Sequence, residues 1–525
     1  MTDDPSPAPG RDSSSSGDSS SVRSVIGSRL GIDPRALAAF RIALGIVILL
    51  DLLLLRVPGT VPFYTDAGVL PRSALAEVYP AFASASIHAL SGSMWVQAVL
   101  FAVAGLFAVS LSLGYRTRLA TFVSFVLLAS LQARNPYVLN GGDTILTSFL
   151  FLGLFLPLGT RWSIDARRTA RRRSREVTGD PERAGPGETE DGVTGDAAQV
   201  VSVATVTILA HIVLIYATNA VFKFQSEAWM NGIAVRRTMH LEQFVVLLGP
   251  SLSDLSTVLT AVNWLWIATL SAAPLLVLCS GKLRSAVVVA FVCTHLGMAA
   301  TMRLGVFPFV LITGLLLFLP PEIWESIERS RARDALERIE TSIRASRPRG
   351  SPLKSRSIPA ITVPSATRRI GGLCASGLLV VVLLTLVFWQ TAQVGLVDSP
   401  APELEEDMGD VGWTFFAPNP PDASSGYVAE AKLESGKTID LTHGGEATLD
   451  RPPNPAETFP TTLWKRYGTD MSHADESQYE PVLEYLCDRS DHEIEVLTIY
   501  YLEQPVGPDG PVDDPEALER ITGTC

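Results

Sequence analysis

Lys223 stands in the stretch ATNAVFKFQSEAWMNG (217–232), at the end of a long apolar run, in a chain with 36 arginines and only six lysines. The two cations differ in chemistry. Arginine stays protonated at physiological pH, whereas a lysine amine can give up its proton and act as a base. Tyr216, Asn219 and Lys223 are spaced three and four apart, so on a helix they share one face. Desolvation of such a lysine disfavours the ammonium, which leaves an amine able to abstract a proton. The competing reading is a lysine whose stem lies along apolar surface while its amine reaches the lipid headgroups, with Glu227 one turn on as a counter-charge.

Other polar groups fall within or beside apolar runs, where an ionisable side chain is costly and points to function. Arg41 and Asp51 lie in the first run. Ten residues apart, they differ by about 80° around a helix, so they need not pair. His211 and His295 occupy later runs, and each reads either as a hydrogen-bonded packing residue or as a ligand. Asn135, Asn140 and Asp143 flank Gly141 and Gly142 in QARNPYVLNGGDTIL (132–146) and could line a cavity together with Trp229. No pair of histidines has metal-ligand spacing, so no metal site is expected. Nothing resembles a phosphate loop or a Ser/His/Asp triad.

The elements that must position these groups are membrane helices. Nine apolar runs, at roughly 36–55, 94–113, 118–134, 144–160, 198–219, 259–280, 284–302, 304–320 and 370–391, are read as spans. Arginine placement sets their orientation. Arg23, Arg29 and Arg35 precede the first run, and GYRTR joins the second and third. Seven arginines lie within 161–175, and the connection 321–369 has 11 basic residues against 6 acidic. With nine spans all of these fall on one side. The expectation is therefore a multi-pass protein of the cell membrane, N-terminus cytoplasmic and C-terminal domain extracellular. Trp95, Trp162, Trp324 and Trp389 sit at run ends, where an indole prefers the headgroup level.

The fold class expected is an all-α polytopic membrane bundle of about nine spans with a small C-terminal α+β extracytoplasmic domain. Residues 1–30 read as a disordered Ser-rich cytoplasmic tail and 31–395 as the transmembrane domain, with basic cytoplasmic loops at 161–196 and 321–369. Residues 400–525 read as the acidic α+β domain. Residues 401–525 carry 27 Asp and Glu against 7 Lys and Arg, a charge of −20, where the whole chain has −12. Such a field repels nucleic acid and fits adaptation to high salt. Within it, YVAEAKLESGKTIDL reads as a hairpin turning at Ser435–Gly436, YEPVLEYLCDRS as a helix and IEVLTIYYL as a buried strand. Cys487 and Cys525 either form one disulfide or stay free, because spacing does not establish geometry.

Six segments in order resemble the horizontally transferred transmembrane (HTTM) domain family, which is related to vitamin K-dependent gamma-carboxylase. They are FRIALGIVILLDLLLLR (40–56), FYTDAGVLPR (63–72), RNPYVLNGGD (134–143), KFQSEAWMNG (223–232), His295 followed by LGVFPFVLITGLLLFLP (304–320), and WTFFAPNP (413–420). The resemblance implies a helical membrane fold with an outer appendage. It also implies that Lys223 is a base acting on a reduced membrane quinone of the menaquinone type. In the carboxylase, the oxidised quinone base then takes a proton from a glutamate side chain, and the carbanion adds carbon dioxide. Here Phe224 stands where some relatives have a second lysine, and Pro136 follows Asn135 where the carboxylase has a histidine. Some HTTM relatives serve peptide maturation. The resemblance therefore also supports a non-enzymatic scaffold for the maturation, export or binding of a secreted peptide or protein.

Overall fold

The computed structural model describes residues 27–179, 199–330, 365–398, 416–450 and 458–525. Most of the Ser-rich tail, the far parts of both basic loops and the first residues of WTFFAPNP lie outside these.

Helix α1 (Pro34–Asp51) starts where Asp33 accepts the Arg35 backbone N–H at 2.7 Å and Pro34 takes the first turn. It runs without a break into a π-helical turn, Leu52–Arg56. Further on come α2 (Met94–Leu113), α3 (Thr117–Arg134), α4 (Gly141–Gly153), α5 (Ile164–Gly179), α6 (Val203–Phe224), α7 (Ser256–Ser271), α8 (Gly281–Thr301), α9 (Phe307–Leu315) and α10 (Ser365–Gln393). Among the described residues five helices are long and apolar enough to cross a membrane: Pro34–Arg56, α2, α6, α8 and Arg369–Gln393 within α10. A sixth candidate is broken. Phe307–Phe318 turns by 100° into Pro321–Ser330, at a point where Pro320 and Pro321 cannot prolong a helix.

The remaining expected spans are shorter or interrupted. α3, with 18 residues, covers 118–134 but includes Arg118 and Arg134. The run 144–160 is helical only to Gly153, the end of the 13-residue α4, and leaves the helix before Pro157. The run 259–280 breaks near Pro274, between α7 and a short helix, Leu275–Leu278. Apolar length is legible in composition, but the continuity of a helix depends on where proline removes a donor.

α1 packs most closely on α2. A Cβ on Gly45 would come within 2.1 Å of Ser112 Oγ and 2.5 Å of the Ala108 carbonyl, so only glycine admits this approach. α6 lies in the interior beside α7 and α10.

The C-terminal domain has the expected elements. Strands β1 (Ala423–Leu433), β2 (Thr438–Asp440), β3 (Ile494–Gly507), β4 (Gly510–Pro511) and β5 (Glu516–Gly523) form one antiparallel sheet, with β3 pairing β1, β4 and β5. Helices α11 (Thr462–Met471) and α12 (Glu476–Arg489) accompany it. Cys487 and Cys525 are bonded, with Cα atoms 5.5 Å apart, which ties α12 to the end of the chain. The domain does not hang free. α11 lies on the helix bundle: Phe63 meets Trp464 at 4.9 Å and Tyr467 at 5.8 Å between ring centroids. The Tyr467 hydroxyl donates to the Val69 carbonyl at 3.3 Å, and Gln478 donates to the Tyr137 hydroxyl at 2.9 Å.

Candidate functional site

Helix α6 begins with a capping box between Ser202 and Thr205 and carries Lys223 in its last turn. Tyr216, Asn219 and Lys223 are all buried, at 2 %, 4 % and 1 % exposure. The Lys223 amine does not extend toward headgroups. It lies over the indole of Trp229, 4.2 Å from the ring centroid, while Glu227 is exposed. A cation over the negative face of an indole is favourable.

Trp229 is held from three sides. Its backbone N–H donates to Ser226, the cap of the short helix Glu227–Met230. Its indole N–H donates to the Phe416 carbonyl at 2.8 Å, and Asn263 donates to the Trp229 carbonyl at 2.9 Å. Ser226 in turn donates to Asn419 at 2.6 Å. The segment KFQSEAWMNG is thus pinned to the end of the WTFFAPNP segment, some 190 residues later.

About two turns earlier on α6, the Tyr216 ring lies 4.2 Å from Phe291 and 5.8 Å from His295. Its hydroxyl has no hydrogen-bond partner among the described residues. His295 Nδ1 lies 2.7 Å from the Phe291 carbonyl. A carbonyl only accepts, so Nδ1 carries the hydrogen, and Nε2 of the neutral ring presents a lone pair. Trp266 closes the group at 5.8 Å from His295 and also packs on the cluster that holds Trp229. Asn219, between Tyr216 and Lys223, donates to the Ile215 carbonyl at 3.1 Å. An amine, a phenol, an imidazole and indole faces therefore line one buried region at the end of α6. Such a set can bind an aromatic ring with an ionisable hydroxyl and can accept its proton.

The other candidates fall elsewhere. Asp143 lies in a closed ion network. One of its oxygens accepts from Arg56, and the other accepts from Arg466 of α11 at 2.9 Å. Arg56 also donates to Asp51 at 2.9 Å and to the Tyr64 hydroxyl at 2.8 Å. Asn140 caps α4 and shares a capping box with Asp143. Asn135 donates to the Phe63 carbonyl at 3.0 Å, and its neighbour Arg134 donates to the Leu70 and Thr65 carbonyls. The segment RNPYVLNGGD thus holds FYTDAGVLPR in place. Arg41 does not meet Asp51. It caps the end of α2 through the Leu111 and Ser112 carbonyls and reaches the Trp162 carbonyl. His211 joins α6 to α4 through Ser148 at 2.9 Å. Among the described residues no group of His, Cys, Asp and Glu could hold a metal ion.

Sequence reasoning missed Lys465. Only 8 % exposed, it sits on α11 with its amine 3.5 Å from the centroid of Phe244. Burial, with Arg466 and Arg303 beside it and Asp470 acting against them, pulls this ammonium down to about 7. Phe244 stacks on Phe416, which receives the Trp229 indole hydrogen, so one aromatic series links the two buried lysines. The only signal in the sequence is the rarity of lysine.

Fold and site together define a helical protein with membrane-length helices and a sheet domain docked on the bundle. Compared with known proteins, the chain matches no family model, no curated protein and no solved structure.

Proposed function

We propose that this chain is a membrane enzyme of the HTTM and gamma-carboxylase-like type, in which Lys223 is the base toward a membrane quinol. The observation that carries the reading is the amine of a rare lysine, buried and set 4.2 Å over a fixed indole, with Tyr216 about two turns earlier on the same helix and His295 packed on Tyr216. A reduced quinone supplies an acidic ring hydroxyl and an apolar tail that partitions into lipid. The Lys223 amine accepts the hydroxyl proton. The Tyr216 hydroxyl donates to the oxygen that gains charge, and Trp229 and Trp266 supply apolar faces that exclude water. Arginine placement supports nine crossings, with the N-terminus inside and residues 401–525 outside.

The test uses the purified full chain with an anaerobic reduced naphthoquinone. Binding is read by tryptophan quenching and ionisation by the absorbance of the bound quinol. Wild type should bind and show the spectrum of the anion. Lys223→Arg keeps a cation but no accessible base, so it should bind and show the neutral quinol. Absence of binding, or the same ionised spectrum in both proteins, overturns the reading. A second reading is favoured by the charge of −20 on residues 401–525: a scaffold that holds a basic secreted peptide. Lys223→Arg separates the two, because a scaffold keeps its peptide when the base is removed.

A further inference from the structure

The far end of the bundle has a cleft that neither Lys223 nor the ion network uses. It encloses about 550 Å³ between the start of α3 and the chain that follows α4. Arg116, Arg118 and Thr160 contribute polar groups, and Leu119, Leu156 and Leu158 contribute apolar wall. Asp165, the one acid in the lining, is already engaged. It accepts the backbone N–H groups of Arg116 and Thr117 at 3.0 and 2.8 Å and the Thr117 hydroxyl at 2.8 Å. It thereby caps α3 and does not neutralise the guanidinium groups. Arg116 and Arg118 are exposed, and neither has an ion-pair partner among the described residues.

Helix α5 adds further cations. α5 leaves the cleft with Arg167, Arg168, Arg171 and Arg172 exposed. The guanidinium groups of Arg168 and Arg116 lie 4.7 and 5.9 Å from the Tyr115 ring, which holds both at the rim. Immediately beside this charge the surface becomes apolar. Leu113, Leu119 and Phe122 are 54 %, 44 % and 52 % exposed at the adjoining ends of α2 and α3. The pair Trp162–Trp324, 5.9 Å apart, packs at the same end of the bundle, with Trp324 buried. A ligand of this site must carry a negative group for the arginines and a hydrocarbon portion for the leucine wall.

We propose that this cleft binds an anionic phospholipid, its phosphate against Arg116 and Arg118 and its acyl chains along Leu119 and Phe122. Basic clefts at helix ends recognise anionic headgroups through the surface field and direct charge-assisted hydrogen bonds. A free phosphate ion shares the headgroup chemistry but gains nothing from the leucine wall.

The test titrates phosphatidylglycerol or phosphatidylcholine into the full chain in a non-ionic detergent and reads bound lipid by native mass spectrometry. Phosphatidylglycerol should be retained at least tenfold better. Arg116→Gln with Arg118→Gln should weaken it roughly 25-fold, near fivefold for each arginine removed. Arg171→Gln with Arg172→Gln, outside the cleft, should weaken it less than fivefold. The Arg116 backbone contact with Asp165 survives these side-chain changes. If the double variant fails to fold, Arg118→Gln alone carries the test, with a fivefold loss expected. Equal retention of the two lipids overturns the proposal, as does undiminished binding by the variants. Displacement of the lipid by millimolar inorganic phosphate also overturns it and assigns the cleft to the free ion.

Discussion

Two sets of arginines in the helix bundle are used in opposite ways. At the end that meets the sheet domain, Arg56, Arg134 and Arg466 are at most 5 % exposed, and so are Asp51 and Asp143. At the other end Arg116, Arg118, Arg161, Arg167, Arg168, Arg171 and Arg172 are on the surface. An ion leaves water only where its partners replace the lost hydration. Arg56 and Arg466 have carboxylates, and Arg134 has two backbone carbonyls. The buried set is therefore architecture, joining α1, α4 and the sheet domain. The exposed set contributes little to stability and acts through its field. Lys223 fits neither pattern. It is buried like the first set, but its amine lies over an indole ring. On that difference rests the proposal that Lys223 is a base.

The largest effect that could break the comparison is all or none. Under the proposed topology, protease added to intact cells should remove residues 401–525 and spare the loop 161–196. Cleavage of the arginine loop from outside would put both ends on one face.

A large graded effect is expected at the joint. Asp143→Ala leaves Arg56 and Arg466 buried without their shared carboxylate and should destabilise the protein by about 3–5 kcal/mol. Chemical denaturation in detergent would measure it, and a loss below about 1 kcal/mol would mean that the network does not hold the domain down.

The smallest effect is a pH dependence at Lys465. Its ordinary value is 10.5, and burial brings it to about 7 in the folded protein. Between those values the unfolded chain holds a proton that the folded chain has released. Stability therefore rises with pH across that window, by at most about 1.4 kcal/mol per unit, and the contribution is lost as pH falls toward 7. Tyr427 and Tyr467, pushed upward by burial, oppose the rise once phenols ionise above about pH 10. Denaturation midpoints between about pH 7 and pH 9.5 should climb in wild type and stay flatter in Lys465→Met. Equal slopes would show that this amine stays charged in the fold.

Much of the fold was legible because its signals are local. The hairpin at Ser435–Gly436, the helix over Glu476–Arg489 and the strand beginning at Ile494 stand where turn residues and periodicity put them. The membrane-length runs at 36–55, 94–113 and 370–391 are helices for the same reason. The site was legible in part. Lys223, Tyr216 and Asn219 share the buried face of α6 that their spacing implied. Asn135, Asn140 and Asp143, read as possible cavity lining, instead hold a neighbouring loop, a helix cap and an ion network. Their partners were hidden, because a side chain's need for a hydrogen bond is written in its type and the supplier is not.

The sequence by itself determined which segments are apolar enough to span a membrane, where positive charge gathers, that the last 125 residues form an acidic module, and which lysine stands at the end of an apolar helix. These properties belong to single segments, through hydropathy, net charge and period. Only the tertiary structure decided that Arg466 meets Asp143 across 323 residues, that Trp229 is pinned by Phe416 beneath the Lys223 amine, and that Lys465 is buried at the joint. Those contacts depend on how helices and sheet dock in space, and no periodicity along one segment records the position of another.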